Sequence, residues 1–311
     1  MLQISEQQVR DALASPLHPL EGMLRVVERV EEAFRSLAAG TAANAPRQRV
    51  RAPKGSMLHL LGAADSHAGF IGCKAYTSSR EGANFYVLLF DAASGKPLAV
   101  IEADYLGQMR TGAASGVATK YMARPDASSL AVIGSGGQAF TQVQAIACVR
   151  QLSEVRVFSR DPAKRDAFAE RLKRDLQLDA RSAATAKDAV EGASIVVTVT
   201  TSSTPVFFGE WIEPGMHINA AGGNAASRAE LDVPAVIRAE HLVVDSLEQS
   251  KIESGELINA GRWNDVVELA SVVAGKAQGR NRSQDVTLFK SNGIGLEDIA
   301  LAGYIYRKMI G

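Results

Sequence analysis

Apolar positions along the chain change their spacing twice, and each change marks a different kind of structure. Near the start, Leu24, Val27, Val30, Phe34 and Leu37 recur at the spacing of one helix face, and Gly40 ends the run. Ser5 with Gln8 resembles a capping box, so the first forty residues read as helices. From about Val50 to Ala103 the runs shorten to strands, at Met57–Leu61, Phe70–Tyr76, Phe85–Phe90 and Leu98–Glu102, separated by Gly, Ser, Asn and Asp. Strands that follow one another directly predict a mostly antiparallel or mixed sheet. An Ala/Gly-rich helix then runs from about Leu106 through Tyr121 and stops before Pro125. Beyond it, Leu130–Ile133, Val155–Phe158 and Ile195–Thr200 are continuously apolar strands, with helical patterns at Gln138–Val149 and Pro162–Leu176 between them. His217–Ala220 and Leu242–Val244 continue the series. This alternation predicts parallel βαβ units. Leu296–Met309 reads as a closing helix.

Composition narrows the class. A chain of 311 residues, 46% apolar and 22% charged, is globular and long enough for two domains. Lysine plus arginine equal aspartate plus glutamate at 34 each, so nothing calls for nucleic acid or an anionic membrane as partner. A near-zero net charge gives weak support to self-association. Cys73 and Cys148 lie far apart among apolar neighbours and read as free thiols. The first residues lack the basic and apolar blocks of a signal peptide, and no apolar run approaches the roughly 20 residues that span a bilayer. The expectation is a soluble, cytoplasmic protein.

The strand Leu130–Ile133 runs into Gly134-Ser135-Gly136-Gly137-Gln138-Ala139, a GxGxx(G/A) pattern that opens a helix. Gly134 permits the tight turn, Gly136 lets the backbone approach a pyrophosphate, and Ala139 allows close packing of helix on strand. The ligand's charge then meets free N–H groups at the helix start. An NAD site places Asp or Glu at the end of the second strand for the ribose 2′-hydroxyl. Here Ser159 occupies that place, Arg160 follows, and Lys164 lies in the next turn. A hydroxyl and two cations suit a 2′-phosphate, so NADP(H) is the preferred cofactor and NAD(H) a possible one. Asp161 reads as the cap of the next helix.

No two of the five histidines have metal-ligand spacing, and CxxC, HExxH and GxSxG are absent, so no metal site is expected. Lys74 is open to two readings, a solvated strand end or a desolvated group that holds a carboxylate or moves a proton. Arg47, Arg49 and Arg51 precede the first of the strands and read either as a basic loop or as a carboxylate clamp. Arg110-Thr111 opens the Ala/Gly-rich helix, where anions can bind.

The order and spacing of Leu106-Gly107-Gln108-Met109-Arg110-Thr111-Gly112-Ala113-Ala114, the dinucleotide loop, Phe208-Gly209-Glu210-Trp211 with Pro214-Gly215, Ile218-Asn219-Ala220 and Phe289-Lys290-Ser291 resembles the ornithine cyclodeaminase/μ-crystallin family. That family comprises ornithine cyclodeaminases, alanine dehydrogenases and reductases of ketimines such as Δ1-pyrroline-2-carboxylate. The resemblance implies an α/β fold in which a Rossmann dinucleotide-binding domain, 114–289, is inserted into an α+β substrate and dimerisation domain, 1–113 plus about 290–311, and it implies a homodimer. It further implies Arg47 as the substrate-carboxylate arginine, with Arg49 the lesser choice, and Lys74 as the active-site lysine. Arg110, Thr111, Thr200, Ser202, Ala221, Arg228 and Ser291 would flank the cofactor, together with Gly134, Ser135, Gly136, Gly137 and Gln138 of the loop.

One position departs from the family pattern. Cyclodeaminases and the alanine dehydrogenases resembling them carry an aspartate where this chain has Asn224, and Arg228 replaces a lysine often found further on. Asparagine neither accepts a proton as a carboxylate does nor balances a substrate ammonium. The sequence therefore points to NADPH-dependent reduction of a small ketimine or cyclic imino acid, with Lys74 and Asn224 as catalytic residues. Cyclodeamination or amino-acid dehydrogenation on the same scaffold is the alternative. A cofactor-dependent small-ligand binding protein of μ-crystallin type is the non-enzymatic one.

Overall fold

A strand that the hydrophobic pattern does not reveal opens the chain. In the computed structural model, which describes residues 1–311, β1 (Leu2–Ile4) lies parallel to β7 (Pro97–Glu102) at the edge of a seven-stranded mixed sheet. The other strands are β2 (Ala42–Asn44), β3 (Gln48–Arg51), β4 (Met57–Asp65), β5 (Phe70–Ser79) and β6 (Gly82–Asp91). Their order is β1-β7-β6-β5-β4-β2, with β3 also on β4, and every pair except β1/β7 is antiparallel. Helices α1 (Glu6–Leu13) and α2 (Pro19–Ala39) intervene after β1. Ser5 and Gln8 cap α1 reciprocally as the sequence predicts, and the left-handed Gly40 closes α2. Arg49 and Arg51 lie within β3 rather than in a loop, leaving Arg47 just before it.

The second sheet is wholly parallel, as its continuously apolar strands require. It comprises β8 (Ser129–Ile133), β9 (Glu154–Phe158), β10 (Ala180–Ser182), β11 (Ile195–Thr198), β12 (His217–Ala220), β13 (His241–Val244), β14 (Val266–Glu268) and β15 (Thr287–Lys290). Their order is β10-β9-β8-β11-β12-β15-β13-β14. The chain leaves β8 in one direction and later returns on its other side, so the carboxyl ends of β8 and β11 form a topological switch point where α/β sheets bind ligands. Helices α3 (Asp104–Met122), α4 (Ala139–Val149), α5 (Pro162–Leu176), α6 (Ala186–Val190), α7 (Val233–Arg238), α8 (Leu247–Glu253), α9 (Gly255–Ala260), α10 (Leu269–Val273) and α11 (Gly295–Ile310) complete the fold. Asp161 accepts from the Lys164 N–H and caps α5, as expected. The very short elements, including β1, β2, β10, β14 and α6 to α10, escape pattern reading because none spans enough residues to show a period.

The two sheets meet through α3 and α11. A boundary between residues 113 and 114 falls inside α3, which packs on both α2 and α4. From β15 the chain passes through Ser291–Gly293 into α11, and that helix lies on β4 and β5 of the mixed sheet. No helix is long and apolar enough to cross a membrane.

Candidate active site

Alternate residues of β5 form a row on the sheet face that α11 covers. An added Cβ on Gly303 of α11 would meet the Phe70 ring at 2.4 Å, and one on Gly72 would meet the Ile299 side chain at 2.9 Å. Only such glycines let the helix lie so close. The next residue in the row is Lys74, whose Nζ donates to Asp298 Oδ1 at 2.8 Å near the first turn of α11. Lys74 is paired on both sides, opposite Leu61 of β4 and Val87 of β6, and is only 2% exposed. It is not a solvated strand end. Burial pulls its ammonium down to about 8, and neighbouring Arg110 pushes the same way against the attraction of Asp298.

Arg110 Nη1 donates to Glu297 Oε2 at 2.8 Å, and its Nε lies 3.0 Å from Asp298 Oδ1 without the alignment of a hydrogen bond. Burial lifts Glu297 to about 7 despite that arginine. The helix bearing Arg110 and Thr111 begins at Asp104, so both sit in its second turn and do not offer the anion-binding start that the sequence suggested. They line the cleft nonetheless, and the Thr111 hydroxyl donates to the Gly107 carbonyl.

Arg47 and Arg49 divide their work. Arg49 is committed to protein groups, with Nη1 2.6 Å from Glu253 Oε1 and Nη2 donating to the Asn224 carbonyl at 2.8 Å. Arg47 anchors Nη2 on the Asn292 and Gly293 carbonyls, while its buried Nε and Nη1 have no hydrogen-bond partner. Nη1 is 3.6 Å from Glu253 Oε2. Buried donors left this way mark a place for a ligand acceptor. Arg47, Lys74 and Arg110 line a cavity of about 300 Å³, together with Asn224, whereas Glu253, Glu297 and Asp298 lie behind it. The wall presented to a ligand is cationic.

This cavity adjoins a second, of about 570 Å³, with Gly136, Val199, Thr200 and Thr201 lining both. The second is lined by Gly134, Ser135, Ser159, Arg160, Lys164 and Ser202 among others. A dinucleotide fits this chain's backbone. Gly134 has φ +120°, and a Cβ there would meet the Val199 carbonyl at 2.4 Å. Nothing lies within 4 Å of the position a Cβ would take on Gly136 or Gly137, and no side chain caps α4. Gly137, Gln138, Ala221 and Ser291 line the inner cavity, and Gln138 Oε1 is buried without a partner. The Ser135 hydroxyl donates to Ser159 Oγ at 2.9 Å, so the phosphate loop and the end of β9 are joined. Arg160 is exposed beside them, and Lys164 stands 3.8 Å from Asp161. Arg228 is exposed and lines neither cavity, so the structure does not bring it to the cofactor cleft.

Several residues that shape the site carry no sequence signal of their own. Glu230 is fully buried and accepts from Thr198 Oγ1, both the N–H and the hydroxyl of Thr200, and the Gly222 N–H. It thereby fixes two cleft-lining segments at once. Asp245 does the same for the loop that grips Arg47, accepting from the Asn292 and Gly293 N–H groups and, at 3.3 Å, from the Ser291 hydroxyl. Lys290 Nζ donates to the Gly223 carbonyl at 2.7 Å, steadying the turn before Asn224. Asp298 and Glu297 belong to the same group. Their proximity to Lys74 and Arg110 is a product of the way α11 returns to the mixed sheet.

Comparison with known proteins agrees with this architecture. Δ1-Pyrroline-2-carboxylate reductase of Bacillus cereus is 38% identical over 233 residues, covering 73% of this chain and 71% of that protein. The structure of Thermococcus litoralis Δ1-pyrroline-2-carboxylate reductase in complex with NADH and L-proline superposes with a TM-score of 0.92 at 33% identity, covering 100% of this chain and 98% of that one. An archaeal alanine dehydrogenase dimer with bound NAD gives a TM-score of 0.91 at 31% identity, covering 100% and 96%. The profile of the ornithine cyclodeaminase/mu-crystallin family matches residues 13–311, and this chain, with its Rossmann domain and its mixed-sheet domain, belongs to that family.

Proposed function

We propose that the chain is an NADPH-dependent reductase that converts a small ketimine or cyclic imino acid, such as Δ1-pyrroline-2-carboxylate, to the amino acid. The observation that carries this reading is the pairing of two unlike cations on one cleft wall. Arg47 offers unpartnered donors for a carboxylate, and the buried Lys74 ammonium stands ready to give a proton. Similarity to the reductases of Bacillus cereus and Thermococcus litoralis supports imine reduction. Preference for NADPH rests on Ser159, Arg160 and Lys164 at the outer cavity: Ser159 stands at the end of β9 where a ribose-binding carboxylate is usual, and Asp161, which also lines the cavity, is engaged as the cap of α5.

When bound, the nicotinamide supplies the hydride that reduces the C=N carbon. The protein does the rest. Arg47 holds the substrate carboxylate, which fixes the reacting carbon in the cleft. Lys74 Nζ passes a proton to the nitrogen, and Asp298 keeps that ammonium in place. Asn224 contributes hydrogen bonds without charge, which leaves the wall cationic and withholds the base that cyclodeamination of a primary amine would use. The chain acts as a homodimer in this reading. The outer face of the mixed sheet presents Val50 at 59%, Ile71 at 42% and Tyr86 at 45% exposure, apolar surface suited to pairing with a second copy.

Purified protein is assayed for oxidation of NADPH and of NADH against a panel of cyclic and linear imines. Reduction of a cyclic imine with NADPH favoured is the expected result. No turnover of any imine refutes the reading, and ammonia release from L-ornithine without net cofactor turnover replaces it with cyclodeamination.

A further inference from the structure

The loop that carries Asn224 is held one peptide group at a time. Glu230 accepts from the Gly222 N–H at 2.7 Å, and Lys290 Nζ, at the end of β15, donates to the Gly223 carbonyl at 2.7 Å. Both holds come from the parallel-sheet side of the cleft. The next carbonyl, that of Asn224 itself, is held from the mixed sheet, where Arg49 Nη2 donates to it at 2.8 Å. Strand register gives Arg49 that reach. Arg49 of β3 pairs with His59 of β4, and His59 with Tyr76 of β5, whose ring lines the inner cavity. Directly paired residues share a face, so Arg49 rises from the cavity face while the next residue, Val50, points outward at 59% exposure. The other arm of the guanidinium, Nη1, lies 2.6 Å from Glu253 Oε1 of α8, a carboxylate only 1% exposed. One side chain of the mixed sheet therefore grips two segments of the Rossmann domain.

We infer that Arg49 is a positioning residue, a clasp between the two domains that sets the loop of Asn224 over the substrate. What Asn224 does there rests on the reductase reading, whereas the clasp itself does not. The loop needs such a hold. Gly222 and Gly223 precede Asn224 and leave the backbone rotational freedom, and Ala226, Ser227 and Arg228 beyond it are exposed. Gly222 has to be glycine, because a Cβ there would meet the Thr200 main chain at 2.4 Å. The carbonyl that Arg49 holds belongs to the residue whose side chain faces the cavity with Arg47 and Lys74. Fixing that peptide plane limits the swing of the Asn224 amide. The planar fork of arginine suits the task, with one arm on a buried carboxylate and the other on the loop.

The test is a double-mutant cycle of Arg49→Met and Asn224→Ala, read by imine-reduction kinetics and by proteolysis. Arg49→Met is expected to lower kcat about tenfold, within reach of a small misplacement, with KM and NADPH affinity within about threefold of wild type. In the Asn224→Ala background no amide is left to misplace, so the same change is expected to lower kcat by less than about twofold. An effect running through Glu253 to Arg47 would raise KM and persist in that background, and this outcome overturns the inference. So does an equal loss of kcat in both backgrounds. A second readout needs no turnover. Trypsin cleavage after the exposed Arg228 of the NADPH-loaded protein is expected to run about tenfold faster in Arg49→Met, the order of one lost hydrogen bond from a charged donor. Cleavage after Arg80, in the turn between β5 and β6, stays as in wild type. No change at Arg228, or acceleration at both sites, overturns the clasp. If no imine is turned over but cleavage after Arg228 accelerates, the clasp stands and the reductase reading falls. Should Arg49→Met not fold, Arg49→Lys carries the same measurements, since its single ammonium lacks the fork that spans Glu253 and the Asn224 carbonyl.

Discussion

Replacing Asp298 with asparagine separates the charge of this carboxylate from its shape. Asp298 Oδ1 is the hydrogen-bond acceptor of the Lys74 ammonium at 2.8 Å, and both side chains are at most 3% exposed. Breaking a buried ion pair costs about 3–5 kcal/mol when nothing takes the partner's place. The asparagine carbonyl still accepts from Nζ, so we assign about 2 kcal/mol of the loss to the charged form of Lys74, equivalent to about 1.5 pH units. Lys74 titrates at about 8 in the wild type, because burial outweighs the help of Asp298. As the proposed proton donor it is active below its pKa and inactive above, so it is expected to set the alkaline limb of the pH profile. In Asp298→Asn that limb moves to about pH 6.5, which lowers kcat/KM about fifteenfold at pH 8 and by less than twofold at pH 6. Steady-state kinetics of imine reduction between these pH values, with thermal unfolding to confirm that the variant is folded, provide the measurement. A profile that drops by one factor at every pH, or an alkaline limb that does not move, refutes the assignment of Lys74 as donor. Stability carries the same sign. Relative to an ordinary lysine at 10.5, the lowered pKa is a folding cost of about 3 kcal/mol, present in full below pH 8 and relieved as pH rises from 8 to 10.5.

Three further outcomes follow from other parts of the site. Arg47→Met is expected to raise KM for the imino acid at least a hundredfold, since the loss of a bidentate charged contact is worth about 3 kcal/mol, while NADPH affinity measured by fluorescence titration stays near wild type. Equal weakening of cofactor and substrate would show that Arg47 serves the fold instead. Arg160→Ala is expected to weaken NADPH about tenfold and NADH hardly at all, which competitive titration of the two cofactors reads directly; a loss shared by both places Arg160 elsewhere than at a 2′-phosphate. Gly134→Ala puts a methyl 2.4 Å from the Val199 carbonyl at a φ of +120°, so cofactor binding is abolished and the melting temperature falls. A variant that binds NADPH normally would mean the turn can relax.

The Rossmann half was legible because its signals are local. β8 and β11 are short buried apolar runs, β9 is one interrupted by Arg156, and the loop from Gly134 to Ala139 states its own backbone requirement. Four strands of the mixed sheet, β4 to β7, were equally visible, although their alternation is blurred by apolar residues on the outer face such as Ile71 and Leu88, which belong to no buried core. Reading Arg110-Thr111 as the opening of their helix placed that start six residues late, because Asp104 to Met109 carry no strong cap signal, and an error of that size moves a side chain from a helix end to its interior.

By itself, then, the sequence determined the backbone periods, the dinucleotide loop, the chemistry at the end of β9 and the ordered motifs that mark the family. Tertiary structure decided which charges act. It buried Lys74 by placing α11 on β5, and gave it a carboxylate 224 residues away in the chain. It spent Arg49 on Glu253 and the Asn224 carbonyl, and it anchored Arg47 by Nη2 while leaving its Nε and Nη1 without a hydrogen-bond acceptor, a distinction that two arginines in one short run cannot express. It also set Arg228 apart from the cleft and turned Tyr76 toward it. The physical reason is that periodicity reports only whether a residue faces inward or outward, whereas a site is made by inward-facing groups of distant segments whose partners are fixed by how the elements pack.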